Sequence, residues 1–209
     1  MSTVAPFELL FGALFTLWGQ PVTGLELAAF VTGLASVWLT WRLHIANWPC
    51  GLVSVACFAL LFVQARLYAD ALLQVAFFIF GLYGWYAWAS GAPAGAQPVR
   101  VTRAPVRERI IVVGVASAAT LAVAAGLRQY TDSPAPFADA AVFAFSLAAI
   151  YTQARVRLEN WWLWIAVDLI SIPLYWTRQL PLTALLYMLF LLICLRGLRA
   201  WRLRAEPAA

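Results

Sequence analysis

The chain has 209 residues, of which 64% are hydrophobic and 11% are charged, and its mean hydropathy is +0.83. A soluble domain of this length does not need so much apolar surface, so the composition excludes a soluble protein and indicates an integral membrane protein. The formal net charge of +5 comes from arginines that cluster at the ends of apolar runs, a pattern typical of membrane topology rather than of nucleic-acid binding.

The first apolar stretch, residues 5–19, contains Glu8 and is short for a membrane span. We therefore predict a short hydrophobic N-terminal helix within residues 1–21 that lies in the interface or packs on the bundle. The stretch lacks the charged start and the cleavage site of a removable signal peptide, so we expect these residues in the mature protein.

Seven longer apolar runs follow, and we predict that each crosses the membrane as a helix. They are Leu25–Trp41, Trp48–Gln64, Tyr68–Trp88, Ile110–Leu127, Phe137–Ala154, Trp161–Trp176 and Leu180–Leu198. Residues 89–107 are rich in Gly, Pro and Arg and form the main linker, and residues 202–209 form a polar tail. The sequence therefore predicts an all-α integral membrane protein with seven transmembrane helices.

The arginines predict the orientation of these helices. If the spans alternate, eleven arginines lie on the side of the C-terminus and three on the other side, at Arg66, Arg128 and Arg178. Because arginine-rich loops stay in the cytoplasm, we expect a cytoplasmic C-terminus in a bacterial inner membrane.

An internal repeat divides the chain. When the chain is aligned with itself, Glu26–Trp88 matches Asp139–Trp201 without a gap, and 17 of the 63 pairs are identical, including both Asn-Trp pairs. Each copy holds three spans and one span separates them, so both copies cross the membrane in the same direction. This predicts a 3+1+3 parallel repeat, with a first half at 22–88, a linker and connecting helix at 89–136 and a second half at 137–201. In transporters of this plan the substrate lies near mid-membrane between the halves.

A charged side chain inside the sixth span marks a candidate site. Trp161, Trp164 and Asp168 lie at i, i+3 and i+7, which places them on one helix face. A carboxylate at mid-membrane depth is costly and normally faces a cavity, and two indoles beside it suit a flat organic cation. The alternative is that the tryptophans are interfacial and that Asp168 pairs with an arginine.

The repeat adds two further candidates at mid-depth. Gln74 in the third span aligns with Tyr187 in the seventh, and both can hydrogen-bond a ligand or simply pack between helices. Val55 aligns with Asp168, so only the second copy carries the carboxylate. The cysteines have no CxxC spacing and the chain holds one histidine, so we expect no metal and no cofactor.

These segments resemble the PnuC vitamin transporters over roughly residues 22–202. The most specific matches are NWP at 47–49, ARLYAD at 65–70, the segment from Gln74 to Gly84, and WxxWxxxD at 161–168. The resemblance implies a SWEET-like 3+1+3 fold, a homotrimer and passive, facilitated diffusion of nicotinamide riboside, which a cytoplasmic kinase then traps by phosphorylation. It also implies a substrate site formed by Gln74, Trp161, Trp164, Asp168 and Tyr187, and we add the paired Asn47, Trp48 and Asn160 as candidates.

Other functions stay open at this point. Nicotinamide riboside members are expected to carry an amide at the position of Asp168, so thiamine, also a cation, or riboflavin are alternative substrates. A membrane subunit of an ATP-driven importer is a second class, although the chain has no phosphate-binding loop of its own. A single carboxylate without a second acid is a poor catalytic set, so we do not expect an enzyme.

Overall fold

The computed structural model describes residues 11–17, 19–64, 68–90, 100–178 and 181–205. Within these ranges the chain forms two strands, β1 (Ala13–Leu17) and β2 (Gln20–Thr23), followed by seven helices. The helices are α1 (Gly24–Trp41), α2 (Asn47–Gln64), α3 (Tyr68–Ser90), α4 (Val106–Tyr130), α5 (Pro136–Ala154), α6 (Asn160–Thr177) and α7 (Pro181–Arg202). The seven predicted helices are confirmed, and the predicted boundaries lie within about one helical turn of the observed ones.

Six of these helices are long and apolar enough to cross a membrane. The seventh helix, α6, is not apolar enough by this measure, because its four tryptophans and Asp168 lower its mean hydropathy. The most apolar 18-residue stretch lies within α4, with a mean hydropathy of 2.3, and only 17% of that stretch is buried. Among the described elements, α4 packs extensively only against α5, so most of its surface faces away from the described part of the chain.

The N-terminal segment differs from the prediction. Where a helix was expected, β1 and β2 form an antiparallel hairpin in which Leu17 pairs with Gln20. Gly19 in the connection has a φ of 78°, which suits a tight turn, and Pro21 cannot continue a helix. The helix prediction is therefore wrong over β1 and β2, whereas residues 1–10 and Trp18 lie outside the described residues.

Helix α1 begins directly after this hairpin at a capping box. The backbone N–H of Glu26 donates to Thr23 Oγ1 at 3.2 Å, and the backbone N–H of Thr23 donates to Glu26 Oε2 at 2.8 Å. These two bonds satisfy N–H groups that a helix start leaves open, so the local sequence fixes where the first long helix begins.

Six helices form a ring. In the first half α2 packs between α1 and α3, and in the second half α6 packs between α5 and α7. The halves meet where α3 packs on α5 and where α7 packs on α1, so the ring closes. The repeat relates these two junctions to each other, since α1, α2 and α3 align with α5, α6 and α7.

Each half contains the same tryptophan packing. The Trp48 ring meets Trp88 edge-on, with ring centroids 5.5 Å apart, and lies directly over Gly84, where an added Cβ would be 2.1 Å from Trp48 Cη2. Only a glycine permits so close an approach. The second half repeats this packing with Trp161, Trp201 and Gly197, and its ring centroids are 5.3 Å apart.

The same tryptophans also tie one half to the other. Trp88 Nε1 donates to the Ala154 carbonyl at the end of α5, and Trp201 Nε1 donates to the Trp41 carbonyl at the end of α1, both at 3.1 Å. The two acceptors, like the two donors, align with each other in the repeat. The repeat seen in the sequence therefore corresponds to matched contacts in three dimensions.

Ion pairs link the start of α4 to the turn between α5 and α6. Glu108 lies 3.4 Å from Arg155 and 2.9 Å from Arg157, and Arg109 lies 2.9 Å from Glu159. Partly buried networks of this kind hold geometry better than isolated surface pairs. They position the connecting helix against α5 and the start of α6.

Candidate substrate site

A cavity of about 210 Å³ lies inside the ring. Its lining residues come from α1, α2, α3, α5, α6 and α7, and α4 contributes none. The cavity thus lies at the junction of the two halves, where a ligand would contact both. It lies in the region that the repeat predicts for a substrate.

Seven of the eight candidate residues line this cavity. They are Asn47, Trp48, Gln74, Trp161, Trp164, Asp168 and Tyr187. The eighth, Asn160, is fully buried outside the lining, and its Nδ2 donates to the Arg157 carbonyl at the turn before α6. Its paired residue Asn47 donates in the same way to the His44 carbonyl at 2.8 Å.

Asp168 places an acid in the cavity, and this acid has no basic partner among the described residues. The side chain is 2% exposed, and its Oδ2 has no hydrogen-bond partner among the described residues. The cavity lining contains no arginine, and no ion pair of Asp168 is present in the described ranges. Since a buried charge without a partner is costly, the site is suited to a ligand that supplies the positive charge.

Trp164 forms an aromatic wall next to this acid. Its indole is partly exposed to the cavity, and its Nε1 donates to Gln153 Oε1 at 3.1 Å. Phe77 from α3 faces it, with ring centroids 6.5 Å apart and an interplanar angle of 51°. Rings from both halves therefore border the space beside Asp168.

Trp48 and Trp161 border the cavity from deeper positions. They are 3% and 1% exposed, and each ring packs directly against a glycine of the neighbouring helix. Their indole N–H groups have no hydrogen-bond partner among the described residues. These rings thus carry much of the helix packing in addition to bordering the cavity.

Gln74 and Tyr187 line the cavity from α3 and α7, at equivalent positions of the repeat. Gln74 is 8% exposed. Tyr187 stacks on Tyr175 at 5.2 Å between centroids and meets Phe190 edge-on at 5.8 Å. Each half therefore contributes one side chain that can hydrogen-bond a polar group of a ligand.

The sequence prediction missed Gln153 and Thr40, which also line the cavity. Gln153 Nε2 donates to Thr40 Oγ1 at 3.3 Å and to Asn47 Oδ1 at 3.5 Å, while its Oε1 accepts from Trp164. The signal was present, because Thr40 and Gln153 are both polar residues near the ends of apolar runs and align with each other in the repeat.

The side chains that line the cavity are of types that bind a small molecule. Within the ranges that the structure describes, no group of three or more His, Cys, Asp or Glu side chains could hold a metal ion. One acid, aromatic rings, amides and hydroxyls surround the space. Such a set is chemically suited to a flat, polar, positively charged molecule.

Comparisons with known proteins agree with a transporter. The family model described as nicotinamide mononucleotide transporter matches residues 23–203. The chain is similar to the riboflavin/roseoflavin transporter RibM of Streptomyces davaonensis, with 30% identity over 92% of this chain and 91% of that protein. It is also similar to the nicotinamide riboside transporter PnuC of Escherichia coli, with 27% identity over 88% of this chain and 87% of the relative.

A solved structure supports the same conclusion. The crystal structure of the vitamin B3 transporter PnuC matches with a TM-score of 0.70 and 25% sequence identity, over 85% of this chain and 80% of that one. The family match covers most of the chain, and the fold of the chain matches that of a solved transporter. The chain therefore belongs to the nicotinamide mononucleotide transporter family and is a multi-pass membrane vitamin transporter of the PnuC type, not an enzyme.

Proposed function

We propose that this protein carries nicotinamide riboside across the bacterial inner membrane by facilitated diffusion. The observation that carries the proposal is Asp168, a buried acid with no described ion pair, in a cavity shared by both halves. Nicotinamide riboside is a pyridinium, so its ring can supply a positively charged partner for Asp168. The ring is also flat, and Trp164 and Phe77 line the cavity with aromatic surface against which it can pack.

The lining favours a nucleoside over a nucleotide. A phosphate group needs arginine, lysine or clustered N–H donors. Among the described residues, the cavity lining includes no basic side chain and one acid. A phosphorylated product would meet repulsion from Asp168. Phosphorylation by a cytoplasmic kinase would therefore make uptake one-way without any energy input from the transporter.

The repeat suggests how the substrate crosses. We assign residues 22–88 and 137–201 to two equivalent halves of a SWEET-like 3+1+3 fold, with α4 as the connecting helix. The cavity lies where α3 and α5, and α7 and α1, meet, so rocking of the halves would expose it to each side in turn. We further propose a homotrimer in membrane lipid, for which the exposed apolar surface of α4 leaves a contact face.

Riboflavin is the second candidate substrate. The relative RibM is named as a riboflavin and roseoflavin transporter and is 30% identical to this chain. Riboflavin is a larger and neutral ring system, so it would leave Asp168 without a counter-charge. Thiamine also carries a positively charged aromatic ring, a thiazolium instead of a pyridinium, and is the third vitamin to test.

Uptake by purified protein in liposomes tests the proposal. We expect radiolabelled nicotinamide riboside to equilibrate across the bilayer, and to exchange with unlabelled vitamin inside, without ATP and without an ion gradient. Collapse of a proton or sodium gradient should leave the rate unchanged. Empty liposomes are the control for leakage.

Two kinds of outcome would overturn the proposal. If the vesicles take up riboflavin and not nicotinamide riboside, the substrate assignment is wrong. If uptake requires an added ATPase, the protein is a subunit of an ATP-driven importer. At zero membrane potential, accumulation above the outside concentration that is driven by an ion gradient would likewise exclude facilitated diffusion.

A further inference from the structure

Gln153 joins the two halves at one end of the cavity. Its Nε2 donates to Thr40 Oγ1 at 3.3 Å and to Asn47 Oδ1 at 3.5 Å, and both acceptors belong to the first half. Gln153 is 9% exposed and Thr40 is 2% exposed, so both side chains are buried. Arg42 and Arg155 follow shortly after them in the chain, which places the junction at the arginine-rich end.

The position of this junction follows from the repeat. Thr40 aligns with Gln153, so the two residues occupy equivalent places in the two halves. Two equivalent residues contact each other only where the axis that relates the halves passes between them. Any movement that separates the halves at this end must therefore break the bond between Thr40 and Gln153.

The same amide group also holds a residue of the candidate site. Trp164 Nε1 donates to Gln153 Oε1 at 3.1 Å, and both residues belong to the second half. An amide is planar, so its oxygen and nitrogen move together. A change in the position of the Trp164 indole therefore changes the direction in which Gln153 Nε2 points across the axis.

We infer that Gln153 is a positioning residue for transport, whose oxygen holds the Trp164 indole in the cavity wall while its nitrogen keeps the arginine-rich end of the ring closed. The inference rests on the proposed function, because it requires a ligand beside Trp164 and two halves that separate. A ligand that moves the indole weakens the bonds of Gln153 to Thr40 and Asn47. In this way occupancy of the cavity is linked to its opening.

Two threonine-to-valine substitutions separate this role from packing. The Thr40 hydroxyl donates to the Ser36 carbonyl of its own helix at 2.9 Å and also accepts from Gln153. The Thr152 hydroxyl donates to the Ala148 carbonyl of its own helix at 2.8 Å and is 1% exposed. Thr40→Val therefore removes a bond between the halves, and Thr152→Val is the matched control within one half.

The native thiol of Cys194, which lines the cavity, can report the opening. In a background with Cys50→Ala and Cys57→Ala, inverted membrane vesicles are treated with a membrane-impermeant maleimide. Modification of Cys194 is then timed by mass spectrometry. Right-side-out vesicles treated in the same way show whether any increase is confined to one side.

We expect Thr40→Val and Gln153→Leu to speed modification in inverted vesicles about fivefold, as loss of one hydrogen bond shifts an equilibrium. Thr152→Val should react at the background rate, and right-side-out vesicles should show no increase for any variant. Equal rates for Thr40→Val and Thr152→Val would overturn the inference, as would an equal increase from both sides.

The design also separates this inference from the proposed function. The labelling experiment uses no vitamin, so a wrong substrate assignment leaves its result unchanged, whereas absence of nicotinamide riboside binding by the parent protein counts against the function alone. If Gln153→Leu gives no folded protein in size-exclusion chromatography, the comparison of Thr40→Val with Thr152→Val decides the question.

Discussion

Asp168 and Trp164 lie one helical turn apart on α6 and face the same cavity. The spacing is set by the helix, because positions i and i+4 share a face. The acid supplies charge and the indole supplies a flat surface, so a ring that carries a positive charge satisfies both. Trp162 lies on a different face of α6 from this pair. Its ring packs under the guanidinium of Arg202, whose Cζ is 4.8 Å from the ring centroid.

Substitutions at Trp164 test the aromatic wall at the residue scale. Trp164→Phe keeps a ring but loses the bond to Gln153, so we expect nicotinamide riboside to bind about fivefold more weakly. Trp164→Ala also loses the ring and should weaken binding about tenfold or more. Titration calorimetry measures both, with size-exclusion chromatography to check the fold.

The matched control is Trp162→Ala, on the same helix turn but 49% exposed and outside the cavity. It should bind the vitamin like the parent protein. A loss at Trp162 equal to that at Trp164 would mean that the tryptophans act through the stability of α6. An unchanged affinity in Trp164→Ala would remove this residue from the site.

At the scale of elements, the contacts of α2 with α3 and of α6 with α7 each contain a tryptophan over a glycine. An added Cβ at Gly84 would lie 2.1 Å from Trp48 Cη2, and one at Gly197 would lie 2.5 Å from Trp161 Cη2. We expect Gly84→Ala and Gly197→Ala each to destabilise the protein by about 1–3 kcal/mol, because the indole cannot move without disturbing its neighbours.

The control is Gly114→Ala on α4, where nothing lies within 4 Å of the added carbon. Alanine favours a helix over glycine by about 1 kcal/mol, so this variant should be neutral or slightly more stable. Melting temperatures in detergent compare the variants. If Gly84→Ala melts with the parent protein, the packing of Trp48 described above is wrong.

Element boundaries were largely predictable, and contacts across the ring were not. Each long apolar run forms a helix. The length of the run predicts the helix, and the flanking Gly, Pro and Arg residues predict where it ends. The periodicity of α6 placed Trp161 on the face of Asp168, but it could not tell that the same ring packs on Trp201, near the far end of α7. Nor did it predict the contact of Gln153 with Thr40, since a repeat alignment pairs residues without saying which pairs meet.

At the scale of the whole molecule, the distribution of charge predicts the topology. One end of the ring carries Arg155 and Arg157 paired with Glu108, and at the opposite end Arg178 pairs with Asp139 at 2.7 Å. The excess of arginine at the first end predicts that it faces the cytoplasm. The end of α7 would then lie inside the cell.

Reporter fusions test this orientation. Alkaline phosphatase at the C-terminus should be inactive and a fluorescent protein there should fluoresce, because both report a cytoplasmic end. As the control, alkaline phosphatase inserted at the exposed Asp132 between α4 and α5 should be active. An active phosphatase at the C-terminus would reverse the topology and with it the direction assigned to the Gln153 junction.

The central claim is that Asp168 selects a cationic ring, and the most direct test is calorimetric titration of the parent protein and Asp168→Asn with two ligands. Nicotinamide riboside is the cation, and its reduced dihydropyridine form is a neutral molecule of nearly the same shape. We predict that Asp168→Asn weakens binding of the cation about tenfold or more and leaves the neutral form within about twofold. Equal losses for the two ligands would contradict the account and assign Asp168 to the structure of the helix bundle.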